Sequence, residues 1–396
     1  MSISMTKDNE NAAILLLKGV PIAMANAIRR TVLSNIPVWA IDDVKISTNT
    51  GPLHCEYVSH RLSLIPVEQP FASSASDYGG GGGGVGDYGG VGGYGDYGGV
   101  GGGEDDYGPF SSGGAATAEP EPDYSPQDYK TLSEATYENL TFHIKVKTTQ
   151  DKIVEVTTKD ITTIPATSDG AALCKKIFKE EFLITKLKGK DGAFECTFKI
   201  VQDTASKHAK WQAVNTIAYR YLIPGTDNAD DVRQIKYDTV SLVQEQQSAQ
   251  SEPQGFVFYI EKASLPISLV LQKALDHIAQ TVTVFKTFLA TTKPEKCWHD
   301  GMLEIEYESN ETHTLGNLLA TYGLLQHPGA FIGYRIIHPM IKKFILRFKI
   351  QKGEEEEEEK EEEEEEEGGA FEAHKMALGA ICDRIIQTAQ RLKLAI

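Results

Sequence analysis

The side chains best suited to chemistry cluster at His54, Cys55, Glu56, His60 and Arg61. A cysteine with a histidine nearby is the raw material of a nucleophile and its base. Acyl transfer also needs a carboxylate to orient the base and donors for the developing oxyanion, and neither is apparent around this segment. Zinc is no better served: a closed tetrahedral site takes four ligands, whereas His54, Cys55 and His60 offer three at a spacing that matches no zinc motif. Gly84-Val85-Gly86-Asp87-Tyr88-Gly89 satisfies the dinucleotide pattern G-x-G-x-x-G formally. A phosphate-binding turn must follow a strand and open a helix whose N–H groups meet the pyrophosphate, and this stretch has neither flank. No acidic triad of the kind that holds magnesium for phosphoryl transfer is present. The chain therefore reads as non-catalytic.

The five cysteines, Cys55, Cys174, Cys196, Cys297 and Cys382, are 119, 22, 101 and 85 residues apart, so no C-x-x-C pair exists and a reducing compartment is expected. The N-terminus lacks a charged-then-apolar leader, and no apolar run approaches the eighteen residues of a membrane span, so secretion and membrane insertion are not expected.

The 396 residues carry 39 Lys+Arg and 56 Asp+Glu, a net charge of −17. Two low-complexity stretches account for it. Glu354 to Glu367 is thirteen Glu and one Lys, and Asp77 to Asp123 holds nine acids and no base; without them the body has 38 bases and 34 acids, or +4. Twenty of the 36 glycines lie between Asp77 and Asp123, with Asp-Tyr-Gly-Gly recurring at Asp77, Asp87 and Asp96. Such a composition has little apolar area to offset the entropy of ordering, so 77–123 is expected to be a disordered loop and the Glu-rich 353–369 a solvated one. The tyrosines could stack on bases, but the acids among them repel phosphate.

Outside these stretches the periodicity is clear. Pro21 to Asn35 reads as a helix with Met24, Ile28 and Val32 on an apolar stripe, and Asn26 and Arg30 four apart on another face. From Ser264, expected to cap, Leu271, Leu275, Ile278, Val282, Phe285 and Leu289 mark a long amphipathic helix. His374, Leu378, Ile381, Ile385, Thr388 and Leu392 mark another. Between the first two, FHIKVKTT, KIVEVTT, EFLITKLKG and AFECTFKIVQ alternate as strands, and Asp191-Gly192 predicts a hairpin joining the last two. Helix, β-rich stretch, helix suggests one domain interrupted by another.

There is also an internal repeat. MANAIRRTVL from Met24 and LGNLLATYGL from Leu315 place a small residue, an Asn and two apolar residues alike. Each is followed by a turn and a strand, VWAIDDVKI and FIGYRIIHP, and each copy ends in a long helix. NAIRRTVLSNIPVWAIDDVKI with GPLHCEYVSHRLSLIPV resembles the D subunit of archaeal RNA polymerase, the third-largest subunit of RNA polymerase II and, more distantly, the bacterial alpha subunit. Lys207-His208-Ala209-Lys210-Trp211 is similar to a motif late in that family's inserted domain. HTLGNLLATYGLLQHPGAFIGYRIIHP with FILRFKI resembles the small L subunit, the eleventh of RNA polymerase II, which pairs with D. Fusion of the two is similar to the arrangement in nucleocytoplasmic large DNA viruses.

The resemblance implies an α+β fold: two alpha-subunit-like αβ dimerisation domains paired within one chain, the first interrupted by a β-rich inserted domain. It divides the chain into a D-like domain (1–47 and 254–292), the insert (48–253), a linker (293–300) and an L-like domain (301–396). It also implies a non-catalytic assembly platform that docks the two largest polymerase subunits, especially the second-largest, and small assembly subunits. DNA would be met only through the complex. No metal or cofactor is expected in this chain, the Gly/Tyr stretch lying where relatives carry a Cys-rich zinc loop or an iron–sulfur domain; magnesium belongs to the large subunits. Asn26, Arg29 and Arg30 are expected to dock the second-largest subunit, with His208, Lys210 and Trp211 on a partner-facing loop or, for Trp211, in the insert's core. His313, Leu315, Gly316 and Asn317, with Leu275, Ile278, Leu378 and Ile385, are expected to pair the two domains without a homodimer, and Thr312 to cap. Ala320 and Thr321 replace the two arginines in the second copy, so docking should be asymmetric. The viral reading implies the host cytoplasm and the virion. The competing reading is a free-standing nucleic-acid-binding transcription factor, for which a body charge of +4 gives little electrostatic basis.

Overall fold

The computed structural model describes residues 2–9, 12–70, 137, 140–149, 151–165, 168–222, 255–299, 301–338, 340–350 and 363–396. The chain divides into two compact units, Met1–Gln69 with Glu134–Ile396, and Pro70–Ser133; apart from Pro70 the described residues belong to the first. The expected loop 77–123 lies outside the described residues. So does the first part of the Glu-rich 353–369, but its second part corrects the expectation: the last helix already begins at Glu363.

Two sheets have the same plan. In the first domain β1 (Ser2–Asn9), β2 (Ala12–Lys18), β10 (Gly255–Ala263) and β9 (Val214–Tyr221) lie in the order β1-β2-β10-β9, all antiparallel. In the second, β11 (Trp298–His299), β12 (Met302–Glu308), β14 (Lys343–Lys349) and β13 (Phe331–Ile336) lie in the order β11-β12-β14-β13. After the second strand of each sheet comes a short helix, α1 (Ile22–Ser34) or α6 (Thr312–Gln326). After the strand paired to it comes a long one, α4 (Ile267–Thr291) or α7 (Glu363–Leu394). The strand equivalent to β13 is therefore β9. This corrects the sequence repeat, which matched FIGYRI to VWAIDDVKI: that segment, β3 (Val38–Asn49), leaves for another sheet.

That other sheet has the order β3-β8-β4-β6, from β4 (Thr141–Lys147), β6 (Ile161–Ile164) and β8 (Ala193–Asp203). A two-stranded sheet pairs β5 (Val154–Thr157) with β7 (Leu183–Leu187), and α2 (Cys55–Ser63) and α3 (Ser168–Ile177) complete the inserted region. The Asp191-Gly192 turn does not close a hairpin as expected. β7 pairs with β5 and β8 with β3 and β4, so the turn carries the chain from one sheet to the next. β9 lies within 48–253 in sequence yet runs along β10.

The helices follow their apolar spacing. Ala23, Met24, Ala27, Ile28, Thr31 and Val32 bury one side of α1, and Pro21 stands at its N-cap, where a missing N–H costs nothing. In α4 the expected cap is replaced: Pro266 occupies the N-cap, and the Ser264 hydroxyl donates to the Ala213 carbonyl at 3.0 Å. A short helix α5 (Pro294–Cys297) joins α4 to the second domain.

Candidate docking face and pairing seam

α4 and α7 run antiparallel along a seam between the two domains. Lys286 Nζ reaches Asp383 Oδ1 and Oδ2 at 2.6 and 2.7 Å, and Lys393 Nζ reaches both Asp276 carboxylate oxygens at 2.7 Å. Along the two helices Leu275, Ile278, Val282 and Phe285 share one continuous core with Leu378, Ile381, Ile385 and Leu392. Burying a side chain of this size contributes about 1.5–3 kcal/mol, so the seam rests on its apolar stripe and the exposed ion pairs add little. Phe285 meets the second domain's Tyr307 edge-on at 5.0 Å and lies 6.4 Å from Phe344.

α1 crosses α6 beside this seam. Leu315 is buried in the common core. A cleft of about 220 Å3 between the two helices is lined by Asn26, Arg30, His313, Thr314, Asn317 and Tyr334. Gly316 and His313 differ from expectation in what they touch. A Cβ on Gly316 would lie 2.6 Å from the Tyr334 ring, so its close approach is to its own domain's strand. His313 is exposed and sits edge-on to the same ring at 6.0 Å. Thr312 does not cap α6: the N-cap is Glu311, and its carboxylate Oε1 takes a bond from Asn35 Nδ2 at 2.8 Å and contacts His277 Nε2. Asn35, His277 and Glu311 thus tie the end of α1, the middle of α4 and the start of α6 together. Sequence reasoning missed this cluster.

Asn26, Arg29 and Arg30 lie on the outward side of α1, with roles distributed otherwise than expected. Arg29 Nε and Nη2 both donate to Asn26 Oδ1, at 3.1 and 3.0 Å, which fixes the guanidinium on the helix surface. Arg30 shares a face with Asn26 as expected, both lining the 220 Å3 cleft, but it donates from Nε to Thr314 Oγ1 of the second domain at 2.9 Å while remaining exposed. A second cleft, of about 440 Å3, lies between Asn26 and Arg29 on α1 and residues 217–221 of the edge strand β9. Burial raises the hydroxyl of Tyr219 in this cleft above the usual tyrosine range, as does neighbouring Tyr221, against the opposing charge of Arg29. Two clefts flanking α1, joined at Asn26 and each with an arginine, form a surface suited to the carboxylates and carbonyls of another protein.

Trp211 is buried, the second of its two expected placements, though in the core shared with the first domain, whereas the inward-facing Lys210 corrects its expected place on the surface. Trp211 is 2% exposed and its Nε1–H donates to the Val201 carbonyl at 2.9 Å. The Lys210 side chain is 8% exposed, its ammonium lying 4.2 Å from the Trp211 ring and donating to Ile41 O and Asp42 Oδ1 at 3.0 and 2.7 Å. An indole that can satisfy its N–H on a strand carbonyl packs inward, and the ammonium follows it to the nearby carboxylate. Together they fasten the turn that precedes β9 to β3 and β8 of the inserted region's sheet. Only His208 stays exposed, capping the turn at Ala209–Trp211 by accepting the Lys210 N–H at 3.1 Å.

The early cluster of reactive types forms no joint site. Cys55 and His60 are exposed on α2, and Arg61 donates to the Ile184 and Leu183 carbonyls at 3.2 and 2.9 Å, binding the helix to β7. Burial pushes the Cys174 thiol up to about 11 and those of Cys196 and Cys382 up to about 12, the reverse of what a nucleophile requires. Among the described residues no helix is long and apolar enough to cross a membrane.

Comparison with known proteins agrees with this architecture. Residues 15–282 match the RNA polymerase Rpb3/Rpb11 dimerisation domain, a span of more than half the chain. The chain belongs to that family. Residues 304–367 match a second domain of the same description, so the Rpb3/Rpb11 domain occurs twice, as the two like sheets do. Among similar proteins, the DNA-directed RNA polymerase subunit Rpo3 of Pyrococcus horikoshii is 39% identical over 70 residues, 18% of this chain and 27% of that protein. The DNA-directed RNA polymerase II subunit RPB3 of Schizosaccharomyces pombe is 38% identical over 66 residues, 17% of this chain and 22% of that protein. Subunit 3 of the Arabidopsis thaliana polymerases II, IV and V is 43% identical over 58 residues, 15% of this chain and 18% of that protein. The aligned stretch is thus about a quarter or less of each relative's length.

Proposed function

We propose that this chain is a non-catalytic assembly subunit of a DNA-directed RNA polymerase, a D-type and an L-type subunit fused so that the alpha-type dimer forms within one chain and docks the two large catalytic subunits. The observation that carries this reading is the double occurrence of one dimerisation domain, with α4 of one copy against α7 of the other and a shared core. The surface on α1 that bears Arg29 and Arg30 is the docking face for the second-largest subunit; small assembly subunits complete the set. The second copy has Ala320 and Thr321 at the corresponding places, which supports docking on one side only. The fusion itself is what supports a viral source, and with it a site of action in host cytoplasm and virion. Magnesium chemistry belongs to the large subunits.

An affinity-tagged chain, recovered from cells in which its polymerase is made, should bring two very large subunits with it, and the purified chain alone should incorporate no nucleotide. Recovery without them, together with salt-sensitive DNA binding by the isolated chain, would favour the free-standing factor.

A further inference from the structure

The two ion pairs of the seam are related to each other. The differences 383 − 276 and 393 − 286 are both 107, so that shift carries Asp276 onto Asp383 and Lys286 onto Lys393. The same shift carries Ile278 onto Ile385 and Thr281 onto Thr388. Both threonine hydroxyls donate to the carbonyl four residues back, at 2.9 Å to His277 and 2.8 Å to Arg384. The two ion pairs are therefore one contact and its two-fold mate. Two copies of α4 laid together in the same way would set Asp276 against Lys286 twice, and two copies of α7 would set Asp383 against Lys393 twice. The ion pairs are satisfied by any pairing of the two domains, like or unlike.

The contacts beside α1 and α6 have no such mates. The shift from Asn26 to Asn317 is 317 − 26 = 291, and both residues line the cleft where the two helices cross. This shift carries Ala23 onto Thr314 and Val20 onto Glu311. The mate of the Arg30–Thr314 bond would set Thr321 against Ala23, which has nothing to offer. Two first domains paired together would face Arg30 with Ala23, and Asn35 and His277 with Val20, losing every bond these three make to Thr314 and Glu311. Two second domains would set Arg384 against Glu311 and keep a charge contact. Exchange of two chains into like pairs needs both kinds of like pair, so the penalty on the first suffices.

Resting on the intrachain reading above, we propose that Arg30 and Asn35, with His277, are the determinants that make the first domain choose the second, through Thr314 and Glu311, and that the Asp276–Lys393 and Lys286–Asp383 pairs play no part in the choice. The test is the monomer–dimer dissociation constant of the full chain by sedimentation equilibrium. Arg30→Ala with Asn35→Ala weakens unlike pairs only, twice per dimer formed, and should lower that constant by about a hundredfold or more. Lys286→Met with Lys393→Met removes bonds that both arrangements possess, so the constant should stay within about threefold while the thermal midpoint falls. Asp276→Lys with Lys286→Asp opposes α7 but leaves α4 complementary to itself, and should lower the constant by about a hundredfold or more. Adding Asp383→Lys and Lys393→Asp to that variant should restore the wild-type value. Equal shifts from the first two variants, or no dimer from the one-sided inversion, would overturn the proposal. A wild-type chain that is itself a tight dimer would instead overturn the intrachain reading.

Discussion

The two Rpb3/Rpb11-type domains share a strand order, a short helix and a long helix, but differ in the connection that leaves the short helix. In the second domain α6 passes to β13 through a tight turn in which the Ala330 N–H donates to the His327 carbonyl at 3.0 Å. In the first, the chain leaves after α1, builds the inserted region from β3 to β8 and returns as β9. The difference extends to the helices: α1 carries Arg29 and Arg30, whereas α6 carries Ala320 and Thr321. A repeated domain can thus keep the seam of its long helix in both copies while one copy alone acquires the insertion and the arginines, of which Arg30 reaches across to Thr314 from the short helix.

If the halves are equivalent at the seam but not outside it, the largest effects should come from the seam core. Phe285→Ala is expected to cost about 3–5 kcal/mol in urea unfolding, because it empties a fully buried site that touches Tyr307 and Phe344. Leu392→Ala, its equivalent on α7, should cost about 2–5 kcal/mol. A loss below about 1 kcal/mol from both would mean that the seam is not a core. Next in size, Arg29→Ala with Arg30→Ala should weaken binding to the second-largest polymerase subunit by about 2–5 kcal/mol with unchanged circular dichroism. Ala320→Ser with Thr321→Ser in the second copy should leave that affinity unaltered, and equal losses from the two copies would remove the asymmetry.

Gly316→Ala should destabilise by about 1–3 kcal/mol, since the added methyl meets the Tyr334 ring, whereas the first domain already holds Ala25, fully buried, at the corresponding place. A melting temperature unchanged by this substitution would show that the ring moves freely. The smallest effect concerns the insert's anchor, which only the first domain has. Burial acts to raise the Asp42 carboxyl, but the hydrogen bond and charge of Lys210 outweigh it and hold it below the usual carboxylate range. A lowered folded value contributes stability that is present above the unfolded value near ~4 and lost as pH falls through the folded one. With Asp42 partly exposed, the loss should be about a few tenths of a kcal/mol, seen as acid unfolding that starts at slightly higher pH in Lys210→Met.

Much of this is legible because it is periodic. Leu275, Ile278, Leu378 and Ile385 announce two stripes, and the likeness of the segments around Asn26 and Asn317 announces the repeat. Alternation reveals a strand but not the sheet it joins, which is why VWAIDDVKI aligns with FIGYRI although β9 is the true counterpart, and why Asp191-Gly192 reads as a hairpin. Trp211 reads equally as a loop or a core residue because a bulky aromatic between bases serves either role, and the Val201 carbonyl that decides it belongs to another element. Asn35, His277 and Glu311 carry no local signal, lying 242 and 34 positions apart along the chain. The Asp276–Lys286 and Asp383–Lys393 spacings could have been found by aligning the long helices with each other.

In the proposed arrangement one chain contains both partners of an alpha-type pair. Static light scattering on the isolated full chain at micromolar concentration tests it most directly, because a tether holds the domains at an effective concentration of about millimolar and so favours pairing within the chain. The expected mass is that of a single chain, 43.4 kDa, independent of concentration. A stable species of twice that mass would contradict it.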